Sequence, residues 1–242
     1  MTTEVTAERA ATLLSDGELK PVGLLPGASN DTFLATVSDG DLETYAVYKP
    51  RLGEAPLWDF PDGTLHLREM AAFVVARAMG WDLVPPTVTR DGPFGVGMVQ
   101  LFIEHDPAEH YLTLGPDHPD VFRRVAAFDV VINNADRKAG HCLRQLDTER
   151  IWIVDHGLTF HADPKLRTVI WEYAGEPIPE PIVADLGRFA AALASDVSLQ
   201  AALKALLDED EMRALASRVE TLMVRGSYPE PGPGRPYPWP PV

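Results

Sequence analysis

Short runs of hydrophobic residues, separated by turn-forming residues, dominate the N-terminal part of the chain. Their length and alternation, and the Gly, Pro, Asn and Asp residues between them, are typical of strands joined by turns. Two stretches with helical spacing, residues 6–15 and 65–79, interrupt the series; Thr64 is placed to cap the second and Gly80 to close it. The runs predicted as strands are 19–25, 32–37, 42–49, 83–89 and 94–103.

The later part of the chain has the spacing of amphipathic helices instead. A possible capping box, Asp208 with Glu211, supports the last of these helices, and Gly226 can end it. Two short apolar runs, at residues 142–146 and 151–154, stand apart from this pattern and predict a hairpin. The helices are predicted at residues 119–133, 182–194, 198–207 and 209–225.

This order of elements predicts an α+β fold in two lobes. Residues 1–103 would form an N-lobe of antiparallel sheet with one helix against it, and residues 104–226 a mainly helical C-lobe. From Ser227 the chain is rich in Pro and Gly, which excludes a helix or a central strand. Residues 227–242 are therefore predicted to be a tail, either flexible or laid over the domain through Tyr237 and Trp239.

Three polar side chains stand where apolar runs end. Asp136 and Lys138 lie in the loop after the helix at 119–133, and Asp155 follows the second run of the hairpin. Phosphoryl transfer needs one carboxylate to position the acceptor hydroxyl, a cation to meet the developing charge and a second carboxylate to hold Mg²⁺. Either Asp alone is more often a turn residue. Their joint spacing favours a site.

The same residues resemble a known motif. Kinase catalytic loops contain Asp-x-Lys-x-x-Asn, then a hairpin and Asp-x-Gly, and the sequence matches these elements from Asp136 to Gly157 except that His141 replaces the Asn. The segments NNADRKAGHCL and IVDHGLTF resemble the phosphatidylinositol 3-/4-kinase superfamily, in particular the type II phosphatidylinositol 4-kinases. They resemble more closely an actinobacterial family assigned to that superfamily. The resemblance spans about residues 18–226 and implies a two-lobed, protein-kinase-like fold.

The resemblance also implies roles for the matching residues. Asp136 would orient or deprotonate the acceptor hydroxyl, and Lys138 would offset charge on the transferring group. Lys49, held by Glu69, would grip the ATP phosphates, and Asp155 would carry the metal. The alternatives are a solvated strand-end lysine for Lys49 and compensation of the helix dipole for Glu69.

Further nucleotide contacts are predicted on the N-lobe. The turn at residues 26–31 would cover the phosphates through Ser29 and Asn30, although an ordinary hairpin turn is at least as common. Residues 100–105 would form the hinge between the lobes, where Gln100 and Ile103 lie along the adenine edge. A core strand is the alternative there, and the two interpretations are compatible.

His141 is where the chain departs from the motif. The Asn that it replaces is an oxygen ligand suited to Mg²⁺, whereas an imidazole nitrogen suits Mn²⁺ or Zn²⁺ better. We therefore expect ATP with Mg²⁺ or Mn²⁺, with Asp155 and His141 as the metal-site residues. His141 could instead hydrogen-bond Asp136 or Asp155, or point away from both.

Composition limits the partners. The 242 residues carry a formal net charge of −15, which disfavours nucleic acid and stable association with anionic membranes. The single Cys fits a reducing cytoplasm. No apolar run approaches the roughly 18 residues that a bilayer span requires.

These observations predict an ATP-dependent phosphotransferase acting on a hydroxyl of a protein or small molecule. Lipid is less expected, because nothing resembles the cysteine-rich membrane-anchoring segment of the type II phosphatidylinositol 4-kinases. A nucleotide-binding pseudokinase, in which His141 has ended catalysis, is the main alternative. A third is transfer of AMP from ATP bound in reverse.

Overall fold

The computed structural model describes residues 6–26 and 30–242. The N-lobe contains a five-stranded antiparallel sheet with the order β1-β2-β3-β5-β4. Helix α1, Ala7–Asp16, buries Leu13 and Leu14 against the sheet. The strands are β1 (Glu18–Leu24), β2 (Phe33–Ser38), β3 (Glu43–Pro50), β4 (Thr87–Gly92) and β5 (Gly95–Leu101).

The strand predicted for residues 83–89 is wrong in its first part, because β4 begins at Thr87. Leu83 and Val84 are buried, so they gave the apolar signal of a strand. They belong to the core beneath α2 rather than to the sheet. Pro85 and Pro86 follow and have no N–H to donate to a ladder, so regular pairing starts only after them.

Helix α2, Leu65–Ala78, lies against β4 and β5 and also contacts α6, and its buried face belongs to the hydrophobic cluster of the C-lobe. Its Ala71 and Val75 share one hydrophobic cluster with Phe122 and Phe128 of α4 and Leu215 of α7. The sheet has a separate cluster with α1. The C-lobe helices are α3 (Tyr111–Leu114), α4 (Pro119–Ile132), α5 (Glu180–Ser195), α6 (Val197–Lys204) and α7 (Glu209–Arg225).

Thr64 does not cap α2 with its side chain. Its hydroxyl donates to the carbonyl of Pro61 at 2.7 Å. The Glu54 carboxylate takes the capping role: it accepts from the N–H groups of Leu65 (3.1 Å) and His66 (2.9 Å). Burial raises the pKa of Glu54, but its hydrogen bonds from His66 and Leu65 outweigh burial, and the pKa is lowered. The irregular loop between β3 and α2 thus fixes the start of the helix.

The predicted hairpin is present as β6, Cys142–Arg144, and β7, Ile151–Ile153. Helix α4 ends at Asn133, which adopts a left-handed conformation with φ 52° and turns the chain into the loop at residues 134–141. Asn tolerates this conformation better than most residues. The helical C-lobe therefore delivers the loop and the hairpin to the same face. The predicted α+β fold, with an antiparallel-sheet N-lobe and a mainly helical C-lobe, is confirmed.

The tail lies extended across the C-lobe. The Pro236 carbonyl accepts from the Thr168 N–H and from the Trp171 indole N–H, both at 3.1 Å, and the Pro241 carbonyl accepts from the Ala139 N–H at 2.8 Å. The tail crosses the domain, although the prediction placed its contacts at Tyr237 and Trp239. We call residues 235–241 the strap. Its hydrogen bonds come from backbone carbonyls, while Tyr237 and Trp239 are largely exposed. Within residues 6–26 and 30–242, no helix combines the length and apolarity needed to cross a bilayer.

Candidate active site

Lys49 joins the two lobes at the centre of the site. Its Nζ lies 2.6 Å from Glu69 Oε1 of α2 and 2.9 Å from Asp155 Oδ1, which follows β7. Burial lowers the pKa of Lys49, but Asp155 and Glu69 raise it by more, so the ammonium stays charged. Lys49 in turn holds the pKa of Asp155 well below its usual range. The three residues form a charged triad.

Asp155 and Glu69 are held by the backbone as well. Asp155 has a φ of 62°, a left-handed conformation that places its carboxylate toward Lys49 and the next N–H toward α2. That N–H, from His156, donates to Glu69 Oε2 at 2.8 Å. Glu69 is only 1% exposed, and both of its carboxylate oxygens accept a hydrogen bond, Oε1 from Lys49 and Oε2 from the His156 N–H. An unpaired carboxylate there would be costly.

The loop after α4 presents the second carboxylate. Asp136 Oδ2 lies 3.1 Å from Lys138 Nζ, and both side chains are about one quarter exposed at 24% and 23%. The backbone N–H of Asp136 donates to Asn134 Oδ1 at 3.0 Å, which fixes the turn. Burial raises the pKa of Asp136, and Lys138 opposes this shift. Asp155 raises the pKa of Asp136 further, so the two carboxylates act on one another.

A buried arginine supports this loop from beneath. Arg137 is fully buried and binds both carboxylate oxygens of Asp129 at 3.0–3.1 Å. It also donates to the Val154 carbonyl at 3.0 Å and to His156 Nε2 at 2.8 Å. The expectation that Arg137 is a structural donor is confirmed. One guanidinium therefore ties α4 to the residues on either side of Asp155.

His156 was missed as a site residue, although it stands inside the Asp-x-Gly element. Burial lowers its pKa well below the usual value, and Arg137 adds to the shift, so the ring is neutral. Because Nε2 accepts from Arg137, the ring proton is on Nδ1, which has no hydrogen-bond partner among the described residues and lies 3.8 Å from Glu69 Oε2.

His141 faces Asp155. Its Nε2 lies 3.3 Å from Asp155 Oδ2, and its Nδ1 accepts from the Lys138 N–H at 3.4 Å. Burial lowers the pKa of His141 to about 4, so the ring is neutral at physiological pH. His141 therefore contacts a carboxylate and does not point away from the site. With Nδ1 accepting, the proton lies on Nε2 and is directed to Asp155.

The metal-binding groups around Asp155 could fill only part of the coordination shell of a metal ion, and other ligands would complete it. Among residues 6–26 and 30–242, no group of three or more His, Cys, Asp and Glu could hold a metal ion. Asp155 and His141 offer one carboxylate and one imidazole on the same side of the site. Such a pair suits an ion that also takes phosphate oxygens and water, as Mg²⁺ does in nucleotide sites, and the imidazole suits Mn²⁺.

The residues predicted to contact the nucleotide on the N-lobe lie in different surroundings. The Gln100 side chain is buried and donates to Thr87 Oγ1 at 2.9 Å, so it serves the sheet. Ile103 is buried in a cluster with Leu143 and Trp152, between the lobes. Asn30 Oδ1 accepts from the Ala55 N–H at 2.8 Å. Ser29 lies outside the described residues.

A second buried ion pair, also missed, anchors α2 to the C-lobe. Arg68 is 2% exposed, contacts the carboxylate of Glu211 at the start of α7, and donates to the Thr159 carbonyl at 2.7 Å. Glu211 closes the capping box predicted with Asp208. A charged residue at position 68, next to Glu69 on a helix otherwise rich in buried apolar residues, was the available signal. We call Arg68 and Glu211 the helix clamp.

Solved structures define the class of fold. The Golgi casein kinase with Mn/ADP bound aligns with 90% of this chain and 74% of its own (TM-score 0.57, 15% identity). The Helicobacter pylori proinflammatory kinase CtkA aligns with 86% and 92% (TM-score 0.54, 10% identity). The structure of hydra Fam20 with sugar aligns with 93% and 89% (TM-score 0.57, 14% identity). At such identities the likeness concerns the fold alone, and the fold is protein-kinase-like.

A relative in sequence then shows the family. Protein Rv2133c of Mycobacterium tuberculosis (strain ATCC 25618 / H37Rv) is 40% identical over 263 residues, with 94% of each chain covered. The chain belongs to the family of that protein. No protein-family model matches the sequence.

Proposed function

We propose that this protein is an ATP-dependent phosphotransferase, an atypical member of the phosphatidylinositol 3-/4-kinase-like group, that acts on a hydroxyl of a protein or small molecule. The observation that carries the proposal is the triad: Lys49 Nζ lies 2.6 Å from Glu69 and 2.9 Å from Asp155. An ammonium fixed between two carboxylates at the junction of the lobes is the arrangement that positions nucleotide phosphates in kinases.

Each residue then has a chemical task. Asp136 accepts the proton of the acceptor hydroxyl, whose oxygen bonds to the γ-phosphorus of ATP as the bond to the bridging oxygen breaks and ADP leaves. Because its pKa is raised, Asp136 is a better proton acceptor than a carboxylate with an ordinary pKa. Lys138, 3.1 Å from Asp136, stabilises the negative charge of the transferring group. Lys49 binds the phosphates of the nucleotide.

Asp155 would hold a divalent ion, Mg²⁺ or Mn²⁺. When bound, the ion would neutralise part of the negative charge of the phosphates. His141 keeps the Asp155 carboxylate in place through its Nε2–H, or ligates the ion after a change of tautomer. The Golgi casein kinase, which has a similar fold, was crystallised with Mn/ADP bound, and this supports the pairing of metal and nucleotide. The base of the nucleotide would lie against the buried apolar cluster of Ile103, Leu143 and Trp152.

Thermal shifts with nucleotide and metal test the proposal. ATP with Mn²⁺ or Mg²⁺ should raise the Tm, because a ligand that binds only the folded state stabilises it by mass action. Lys49→Met and Asp155→Asn should lose the shift. Asp136→Asn should keep the shift but lower turnover by about 100-fold or more. Lys204→Met, at an exposed lysine of α6, is the matched control.

Retention of the full shift by both Lys49→Met and Asp155→Asn would contradict the proposed nucleotide site. A shift without turnover under any metal would instead indicate a pseudokinase. The mass of the product separates phosphate transfer from AMP transfer.

A further inference from the structure

The segment at residues 167–169 lies between the strap and the loop at residues 134–141, which carries Asp136 and Lys138 and which we call the catalytic loop. On one side, the Arg137 N–H donates to the Arg167 carbonyl at 3.0 Å and the Val169 N–H to the Arg137 carbonyl at 3.1 Å. On the other side, the Thr168 N–H donates to Pro236 at 3.1 Å. The strap then returns to the catalytic loop, where Pro241 accepts from Ala139. The three segments therefore form one continuous surface.

Side-chain alternation places Arg167 on the same side as the proposed catalytic residues. Arg137 and Thr168 are bridge partners, and both side chains point inward to Asp129. Neighbours of inward-facing residues in extended backbone face outward. Arg167 accordingly emerges on the face that carries Asp136 and Lys138, and its side chain is exposed.

The strap adds a second arginine and an aromatic ring. The Arg235 guanidinium lies 5.2 Å from the centroid of the Trp239 ring, and Trp239 is 73% exposed. Between them, Pro238 is buried and anchors the strap. The contact with the Trp239 ring restricts the Arg235 guanidinium. The N–H donors lie in the plane of the guanidinium group and remain free to bind an anion.

Among residues 6–26 and 30–242, neither arginine has a carboxylate partner, although the protein has 36 acidic and 21 basic side chains. Two lysines close in sequence to Arg167 and on the catalytic loop do have carboxylate partners: Lys165 lies 2.8 Å from Asp59, and Lys138 lies 3.1 Å from Asp136. Among the ion pairs of the described residues, none includes Arg167 or Arg235. Arg167 and Arg235 are thus two exposed guanidinium groups, one on the segment bonded to the catalytic loop and one on the strap, that are available to attract an anion.

We propose that the strap forms one wall of the acceptor site, and that Arg167 and Arg235 bind an anionic group carried by the acceptor, such as a phosphate or a carboxylate near the accepting hydroxyl. The inference rests on the proposed function, since it places the acceptor of that reaction. Guanidinium groups bind both anions through paired N–H donors. Trp239 contributes its ring face to the same wall.

Matched pairs of hydroxyl compounds test this inference. Glycerol is compared with glycerol 3-phosphate, and a serine peptide flanked by glutamine with the same peptide flanked by glutamate. Binding is measured by calorimetry on the full chain, both alone and with saturating ADP and Mn²⁺. The anionic member of at least one pair should bind about tenfold more tightly than its neutral partner, and the pair that responds distinguishes a small molecule from a peptide.

Arg167→Gln and Arg235→Gln should each remove most of that preference while leaving the Tm and the ADP-induced shift unchanged. Arg124→Gln, at an exposed arginine of α4, makes the same change of charge and should retain the preference. Equal binding within both pairs would overturn the proposal, and so would an equal loss in Arg124→Gln. If ADP gives no shift but the anion preference depends on Arg167, the proposed function fails and the anion site stands.

Discussion

His141 is the residue at which this chain differs most from the motif that it resembles. Spacing predicted that it lies near a carboxylate, and its Nε2 lies 3.3 Å from Asp155 Oδ2. What spacing could not give is the tautomer, because that depends on the Lys138 N–H, which donates to Nδ1. A histidine that donates to Asp155 orients the carboxylate without adding an oxygen ligand.

We expect His141→Asn to change the preferred metal. The amide adds an oxygen donor beside Asp155, which favours Mg²⁺, whereas the imidazole of the wild type favours Mn²⁺. Titrating each metal against ATP binding in both proteins measures the preference. Identical metal profiles would leave His141 with a structural role only.

The buried histidine also makes stability depend on pH. The pKa of His141 is lowered by burial from 6.5 to about 4, so between these values the unfolded chain binds a proton that the folded protein excludes. The free energy of unfolding therefore falls as pH drops through 6.5, and the loss ends near the folded pKa. From pH 7 to pH 5 this residue should account for about 2 kcal/mol.

Urea unfolding of the wild type and of His141→Asn at several pH values measures this contribution. His156 shifts in the same direction and is common to both proteins, so the difference between them isolates His141. The same pH dependence in the two proteins would show that His141 is not protonated on unfolding in this range.

At the scale of elements, the helix clamp fixes the position of α2 and hence of Glu69. Arg68 and Glu211 are both buried, and Arg68 also donates to the Thr159 carbonyl of the segment after Asp155. Local patterns predicted α2 and α7 as helices, and predicted the Asp208–Glu211 capping box. They could not predict that the two helices meet, because that contact joins residues 143 positions apart.

Removing one partner of the clamp should be costly. Glu211→Gln leaves a buried guanidinium without its counter-charge and should lower the free energy of unfolding by about 3 kcal/mol. The double variant Arg68→Met/Glu211→Leu should recover much of this loss, since apolar residues need no counter-charge. Chemical denaturation measures both, with Glu220→Gln, at an exposed residue of α7, as the control. A loss in the control equal to that in Glu211→Gln would contradict this account.

At the scale of the molecule, the two largest hydrophobic clusters of the described residues do not follow the order of the chain. The sheet and α1 form one cluster, while α2 belongs to the larger one with α4 and α7. The order of elements predicted an α+β fold in two lobes, but hydrophobic spacing alone could not say which lobe α2 joins, because an apolar face fits either. We retain residues 1–103 and 104–226 as proposed lobes, with α2 bridging them.

Hydrogen exchange tests this arrangement. Amides of α2, Leu65–Ala78, should be protected together with those of α4 and α7, because they share one packed core. Amides of α1 and β1 should exchange faster, as their cluster is smaller. Exchange of α2 at the rate of the sheet would show that the helix opens with the N-lobe.

The helix clamp also restricts how this sequence can diverge. Arg68 serves two acceptors on different segments, Glu211 and Thr159, and lysine lacks the planar fork of donors that reaches both. A lineage that replaces either charged residue first must pass through an intermediate with an unpaired buried charge, at a loss that a marginally stable protein tolerates poorly. Positions 68 and 211 are therefore expected to be kept together or exchanged together for an apolar pair among homologous sequences.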